Sequence, residues 1–218
     1  MIKTVIFDFD GVIVDSEQVV KRGWRYASEH MNLGPTDELF LQCVGTNHLY
    51  MEQFLKKQFG DDFSYEEMRK YTRKYFREYT ETYGLPVKPG VRELMQYLKE
   101  QDYQIGLASS STLGYIVDGL KRADLIDFFK VIVSGETLKR GKPEPDIYLM
   151  ACEKIGVKPE EAYAIEDSYN GIRSASSAGM KAIMVPDLLK ETDEMKRLST
   201  TICEDLFAVK EYLIKNNR

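Results

Sequence analysis

Residues 2–11 read Ile2-Lys3-Thr4-Val5-Ile6-Phe7-Asp8-Phe9-Asp10-Gly11, and the fold is decided by how this stretch ends. An apolar run marks a short buried strand, yet it stops on a carboxylate and meets a second one two residues later. Burying charge is costly unless a partner offsets it. Residues two apart on a strand point to the same side, and Gly11 lets the backbone bend just beyond. The carboxylates of Asp8 and Asp10 are therefore expected to converge on one point. Such a pair suits a hard cation that takes oxygen ligands, magnesium above all. It equally suits a nucleophile beside an acid/base group. An ordinary turn or helix cap is the third reading, and the pair alone does not choose among them.

Further along the chain the same kind of strand recurs. Residues 103–108 (YQIGLA), 130–134 (KVIVS), 163–166 (YAIE) and 181–185 (KAIMV) are short apolar runs, with a weaker one at 200–203. Between them lie helical patterns at residues 91–100, 113–123, 146–155, 171–178 and 205–215. Regular alternation of strand and helix predicts an α/β fold, a Rossmann-like parallel sheet with helices on both faces. Ligands in such sheets bind beyond the carboxyl ends of the strands. Three of those ends are polar: Asp8, then Ser109-Ser110-Ser111, then Glu166-Asp167-Ser168.

Residues 16–83 break this rhythm. Aromatic and aliphatic side chains there recur three or four apart, which predicts about four helices. Ser64 with Glu67 three residues later is a capping-box pattern at the start of the last of them. The expected organisation is a core of residues 1–15 and 84–218, with a helical-bundle cap of residues 16–83 acting as a lid. Its aromatic stripe reads mainly as bundle core. Trp24 stays open as a ligand contact because it follows the first loop so closely.

Bulk properties narrow the function classes. The chain has 218 residues, 43% hydrophobic and 30% charged, with a net charge of −5, an ordinary globular balance. No basic face points to nucleic acid. Three scattered cysteines, Cys43, Cys152 and Cys203, form neither a disulfide framework nor a zinc pattern. With no secretory leader and no bilayer-length apolar run, the expected setting is cytoplasmic, with no membrane partner and a monomeric state.

Three more stretches bear on the chemistry. Ser109 to Thr112 place hydroxyls and free N–H groups at a strand-to-helix junction, which makes either a phosphate cradle or a helix cap through Ser111 or Thr112. In Gly141-Lys142-Pro143-Glu144-Pro145, two prolines stiffen the loop and aim Lys142. The lysine either neutralises a charged site or stands in solvent. Glu166 and Asp167 end a strand on adjacent acids, a crowding that a cation would relieve.

Taken in order, DFDGV, the serine ending LAS, the lysine of GKPEP and the acidic pair of IEDS closely resemble the four motifs of the haloacid dehalogenase superfamily of aspartate-nucleophile phosphotransferases. The resemblance covers nearly the whole chain. The early helical insertion looks like the cap of the subgroup that includes beta-phosphoglucomutase and sugar-phosphate phosphatases. This resemblance implies Asp8 as nucleophile, forming an aspartyl phosphate, and Asp10 as acid/base, its backbone carbonyl also touching Mg2+. It implies Ser109 as a phosphoryl contact with Ser110 beside it, and Lys142 as the charge-balancing cation. Asp8, Asp10, Glu166 and Asp167 would form the metal environment. Gly11, Trp24 and the cap loop Gly45-Thr46-Asn47-His48 would meet the substrate, a small phosphate ester. Beta-phosphoglucomutases carry a cap histidine and a cap arginine where this chain has Val20 and His48 or its neighbours. The expected activity is thus a phosphatase on a sugar or polyol phosphate, with a phosphosugar mutase as the alternative. A non-catalytic binding scaffold would need a missing group, and Asp8, Asp10, Ser109, Lys142 and Asp167 are all present.

Overall fold

The structure is a computed structural model that describes residues 2–44, 46 and 48–216. Six strands form one sheet: β1 Thr4–Phe7, β2 Gln104–Ser109, β3 Val131–Ser134, β4 Tyr163–Glu166, β5 Lys181–Met184 and β6 Thr201–Ile202. Their order is β3-β2-β1-β4-β5-β6, and every pairing is parallel. Among the described residues ten α-helices accompany them: α1 Ser16–Met31, α2 Asp37–Cys43, α3 His48–Phe59, α4 Tyr65–Tyr83, α5 Val91–Glu100, α6 Leu113–Arg122, α7 Asp146–Ile155, α8 Tyr169–Ser177, α9 Asp193–Leu198 and α10 Leu206–Asn216.

Both faces of the sheet are covered, as an all-parallel sheet requires. Ile6, Ala108, Ala164 and Ala182 join one core cluster with Tyr148 and Ala151 of α7 and Ile172 and Ala175 of α8. Their strand neighbours Val5, Phe7, Leu107, Ile165 and Ile183 point the other way and are equally inaccessible. Helix α9 has no counterpart among the expected elements. At six residues it is too short to show a period, and it holds to the core through Met195.

The chain divides into two compact units, Met1–Asp15 with Val87–Arg218, and Ser16–Pro86. The return to the first unit comes three residues later than residue 84. Val87 forms an antiparallel bridge to Val14, and the Lys88 N–H donates to the Ile13 carbonyl at 2.9 Å. Backbone pairing, rather than the end of α4, sets that boundary.

The second unit contains α1 to α4, with α1 packed along α4. Ser64 caps α4, its hydroxyl accepting from the Glu67 N–H at 3.2 Å. Trp24 is buried edge-on against Phe40. Tyr26, Tyr71 and Tyr75 only half bury; Tyr26 and Tyr71 pack on each other and on His30, and Tyr75 packs on Tyr26. Among the described residues no helix is long and apolar enough to cross a membrane.

Candidate active site

Asp8 is the first residue beyond β1, and its N–H donates to the Ile165 carbonyl of β4 at 3.0 Å. β1 and β4 are the adjacent strands where the chain order reverses, the point at which open α/β sheets bind ligands. Gly11 then turns the chain at φ +79°, a conformation that favours glycine. A Cβ there would also collide with the Asp167 carboxylate. Residue 11 thus serves two strand ends at once.

Lys142 reaches this point from the loop before α7. Its ammonium donates to Asp8 Oδ1 at 2.6 Å, Glu166 Oε1 at 2.5 Å and the Ala108 carbonyl at 3.1 Å. The three donors of the ammonium are then all engaged, and the side chain is 7% exposed. Of the two sequence readings, aimed or solvated, the structure gives the aimed one.

Glu166 is wholly buried. Oε1 also accepts from Tyr148 Oη at 2.9 Å, and Oε2 accepts from Asp167 N, Ser168 N and Ser168 Oγ at 3.1–3.2 Å. A Cβ on Gly171 would overlap its carboxylate. Glu166 therefore fixes Lys142 from behind. Asp8 Oδ2 and the Asp167 carboxylate remain outside this network.

Tyr148 had a legible signal that the motifs obscured. It sits on the apolar face of α7 with Ile147, Ala151, Cys152 and Ile155, and a buried tyrosine hydroxyl needs a partner.

The electrostatics follow from crowding. Burial pushes the Asp8 carboxyl up to about 7, opposed by Lys142 and reinforced by Glu166 and Asp10. Burial, then Glu166 and Asp8, hold the Asp167 carboxyl well above the carboxylate range. Burial works against the Lys142 ammonium, but Asp8 and Glu166 outweigh it and hold it well above its ordinary value. Ligand oxygens of Asp8, Glu166 and Asp167 lie within 4.8 Å of one another. Three carboxylates against one ammonium leave an excess of two negative charges, and the donors are all hard oxygens. That set fits a small divalent cation such as Mg2+, with Asp8 and Asp167 offering the uncommitted oxygens.

Asp10 departs from expectation. Its carboxylate accepts from Ser111 Oγ at 2.7 Å and Tyr115 Oη at 3.1 Å, while Asp8 points to Lys142. The two carboxylates bond different partners, although the charge of Asp10 still bears on Asp8, and Asp10 lies in a turn closed by Gly11 N–H to the Val14 carbonyl. Strand parity no longer governs it there. Ser111 spends its hydroxyl on Asp10 rather than capping α6, and Thr112 at the cap position makes no side-chain cap bond among the described residues. Ser109 is 1% exposed and accepts from Ser111 N at 3.1 Å, whereas Ser110 is exposed.

Of the expected cap contacts, Gly45 and Asn47 lie outside the described residues. The Thr46 hydroxyl closes the end of α2 on the Cys43 carbonyl at 2.6 Å. His48 is exposed, with Nδ1 2.8 Å from Tyr65 Oη. Trp24 and His48 line one cavity of about 360 Å³ within the second unit, together with Val20, Met51, Met68 and Phe76.

Three comparisons bear on this chain. A phosphorylated carbohydrates phosphatase of Thermotoga maritima (strain ATCC 43589) is 32% identical over 186 residues, 83% of each chain. A beta-phosphoglucomutase of Bacillus subtilis (strain 168) is 33% identical over 189 residues, 84% of this chain and 83% of that one. The crystal structure of a hydrolase from Deinococcus radiodurans R1, with bound phosphate and sodium, superposes with a TM-score of 0.84 at 23% identity. It covers 98% of this chain and 96% of that one, a likeness of fold. The family model described as haloacid dehalogenase-like hydrolase matches residues 5–185, a span that runs from β1 through β5. The chain belongs to the haloacid dehalogenase-like hydrolase family.

Proposed function

We propose that this chain is a magnesium-dependent phosphatase hydrolysing a small phosphorylated metabolite, a sugar or polyol phosphate in class, through an aspartyl phosphate on Asp8. The observation that carries this reading is the Lys142 ammonium buried between Asp8 and Glu166, beside Asp167, at the switch point of the sheet. The Thermotoga relative supports the carbohydrate class.

In this mechanism Lys142 occupies Asp8 Oδ1, which leaves Oδ2 to attack phosphorus. The bond from phosphorus to the leaving oxygen breaks as the Asp8–phosphorus bond forms. Asp10, carrying a proton when substrate binds, gives it to that oxygen, its carboxyl turning from the Ser111 and Tyr115 hydroxyls. Water then attacks the acyl phosphate phosphorus and gives its proton back to Asp10. Inorganic phosphate leaves, and both aspartates return to their starting state. Ser109 offers its hydroxyl to the phosphoryl oxygens, and Glu166 with Tyr148 keeps Lys142 in place. Asp167 would hold the Mg2+ together with the Asp8 oxygen that does not attack, and the ion would supply charge neutralisation of the phosphoryl group. Trp24 and His48 would meet the sugar part. The chain is read as a cytoplasmic monomer with no nucleic-acid or membrane partner.

The test is phosphate release across a panel of sugar and polyol phosphates, with glucose 1-phosphate isomerisation assayed alongside. Magnesium-dependent release is expected. Isomerisation without release would replace this reading by the mutase that the Bacillus relative exemplifies, and inactivity toward every phosphate ester would sink both.

A further inference from the structure

The loop after β5 carries a carboxylate that the mechanism above does not use. Asp187 lies three residues beyond the end of β5, the strand paired with β4, and so at the same edge of the sheet as Asp167. Its Oδ1 accepts from Lys88 Nζ at 2.7 Å, with the two side chains 13% and 18% exposed. Oδ2 is buried and accepts no hydrogen bond among the described residues. A buried carboxylate oxygen without a donor is costly, and Lys88 satisfies only its twin.

The surroundings point to what would pair it. Asp187 is near enough for its charge to bear on Asp167, which directly follows the strand paired with β5. An orphaned anion facing a crowded anionic site is self-defeating unless a cation lies between them. Yet Asp187 stands outside the close set of Asp8, Glu166 and Asp167, whose oxygens lie within 4.8 Å of one another. Direct coordination in that set is therefore out of its reach. Magnesium keeps several of its waters when it binds, and a carboxylate one water further out orients them.

We propose that Asp187 is an outer positioning residue of the metal site. Its Oδ2 accepts a hydrogen bond from a cation-bound water, while Lys88 fixes the carboxylate through Oδ1. This rests on the metal reading given under the proposed function. Lys88 suits the task because its own backbone is tied to Ile13, at the return into the first unit. The carboxylate is thereby held from a paired segment rather than from a free loop.

The test uses Mn2+ as probe, with free ion counted by electron paramagnetic resonance, on the full chain and on Asp187→Asn. Asparagine keeps the acceptor for Lys88 and removes the charge. The Mn2+ dissociation constant is expected to rise about tenfold or more. The melting temperature in chelator should stay level or rise, because Asp167 loses a like-charged neighbour. Unchanged Mn2+ affinity would overturn the proposal. So would a lower melting temperature in chelator with affinity intact, the mark of a purely structural ion pair. Should Asp187→Asn fail to fold, Asp187→Ser takes its place under the same criteria. A wild-type chain that binds no Mn2+ would sink the metal reading along with this step. Wild-type binding that the variant matches would sink this step alone.

Discussion

The buried cluster of the first unit and the cavity of the second are built on opposite principles. Around Lys142, every polar contact is a named donor on a named acceptor, and chain segments more than a hundred residues apart meet within hydrogen-bond distance. Around Trp24, the wall joins Val20, Met51, Met68 and Phe76 to His48, Tyr65, Arg69, Thr72 and Arg73. The first arrangement fixes charge and therefore chemistry. The second fixes shape, and thioether side chains adapt their shape readily. Substitutions in the first unit should abolish a step, while those in the second should shift a preference.

The largest effect tests the first half of that contrast. Asp8→Asn removes the proposed nucleophile while keeping size and one acceptor for Lys142. Phosphate release is expected to fall by about 10³-fold or more, as for other groups that act as one unit. Activity within tenfold of wild type would remove Asp8 from the chemistry.

Next comes Lys142→Met. Removing one partner of a buried ion pair strands the other, at a cost of about 3–5 kcal/mol. Both Asp8 and Glu166 would be left without the ammonium. The variant should lose activity and also unfold at clearly lower denaturant. Preserved stability with lost activity would mean that the cluster serves catalysis without holding the fold.

How much of this was legible in the sequence divides along the same line. Apolar strands that end on acids or hydroxyls announce themselves, because burial and charge conflict in one short stretch. Asp8, Lys142, Glu166 and Asp167 were therefore readable, and so was the order of strands and helices. Asp10 was readable as a residue but not as a rotamer: past the strand end, its direction depends on the turn and on Ser111 and Tyr115. Tyr148 was missed because its signal, a hydroxyl on an apolar helix face, does not name its partner, and Asp187 because it belongs to no local pattern. One is an apolar-face tyrosine, the other a loop acid, and only the folded sheet brings them to Glu166 and Lys88. The cap wall is still less legible, since methionine and phenylalanine at helical spacing read alike whether they fill a core or line a cavity.

A smaller effect concerns pH. The Asp8 carboxyl is raised from 3.8 to about 7, and Asp167 is raised as well. Between those two values the native metal-free chain keeps protons that the unfolded chain has released. Stability should therefore fall as pH rises through this window, the share of Asp8 being lost by about pH 7. Lys142, held above its ordinary value, stays charged throughout and adds no slope. Melting in chelator should be higher at about pH 5 than at about pH 8, and saturating Mg2+ should flatten the difference. An equal slope with and without Mg2+ would separate these carboxyls from the metal.

The smallest effect sharpens the cap side of the comparison. His48 is exposed, and among the described residues its side chain hydrogen-bonds Tyr65 Oη at 2.8 Å. His48→Ala should cost about 1 kcal/mol of stability or less. If the side chain meets the sugar, losing one hydrogen bond of that size raises KM about fivefold and leaves kcat within about twofold, the pattern of lost uniform binding. A generic aryl phosphate, which lacks the sugar hydroxyls, should respond to the substitution hardly at all. Loss of kcat with KM unchanged would instead make His48 part of the chemistry, and the division between a unit that reacts and a unit that selects would no longer stand.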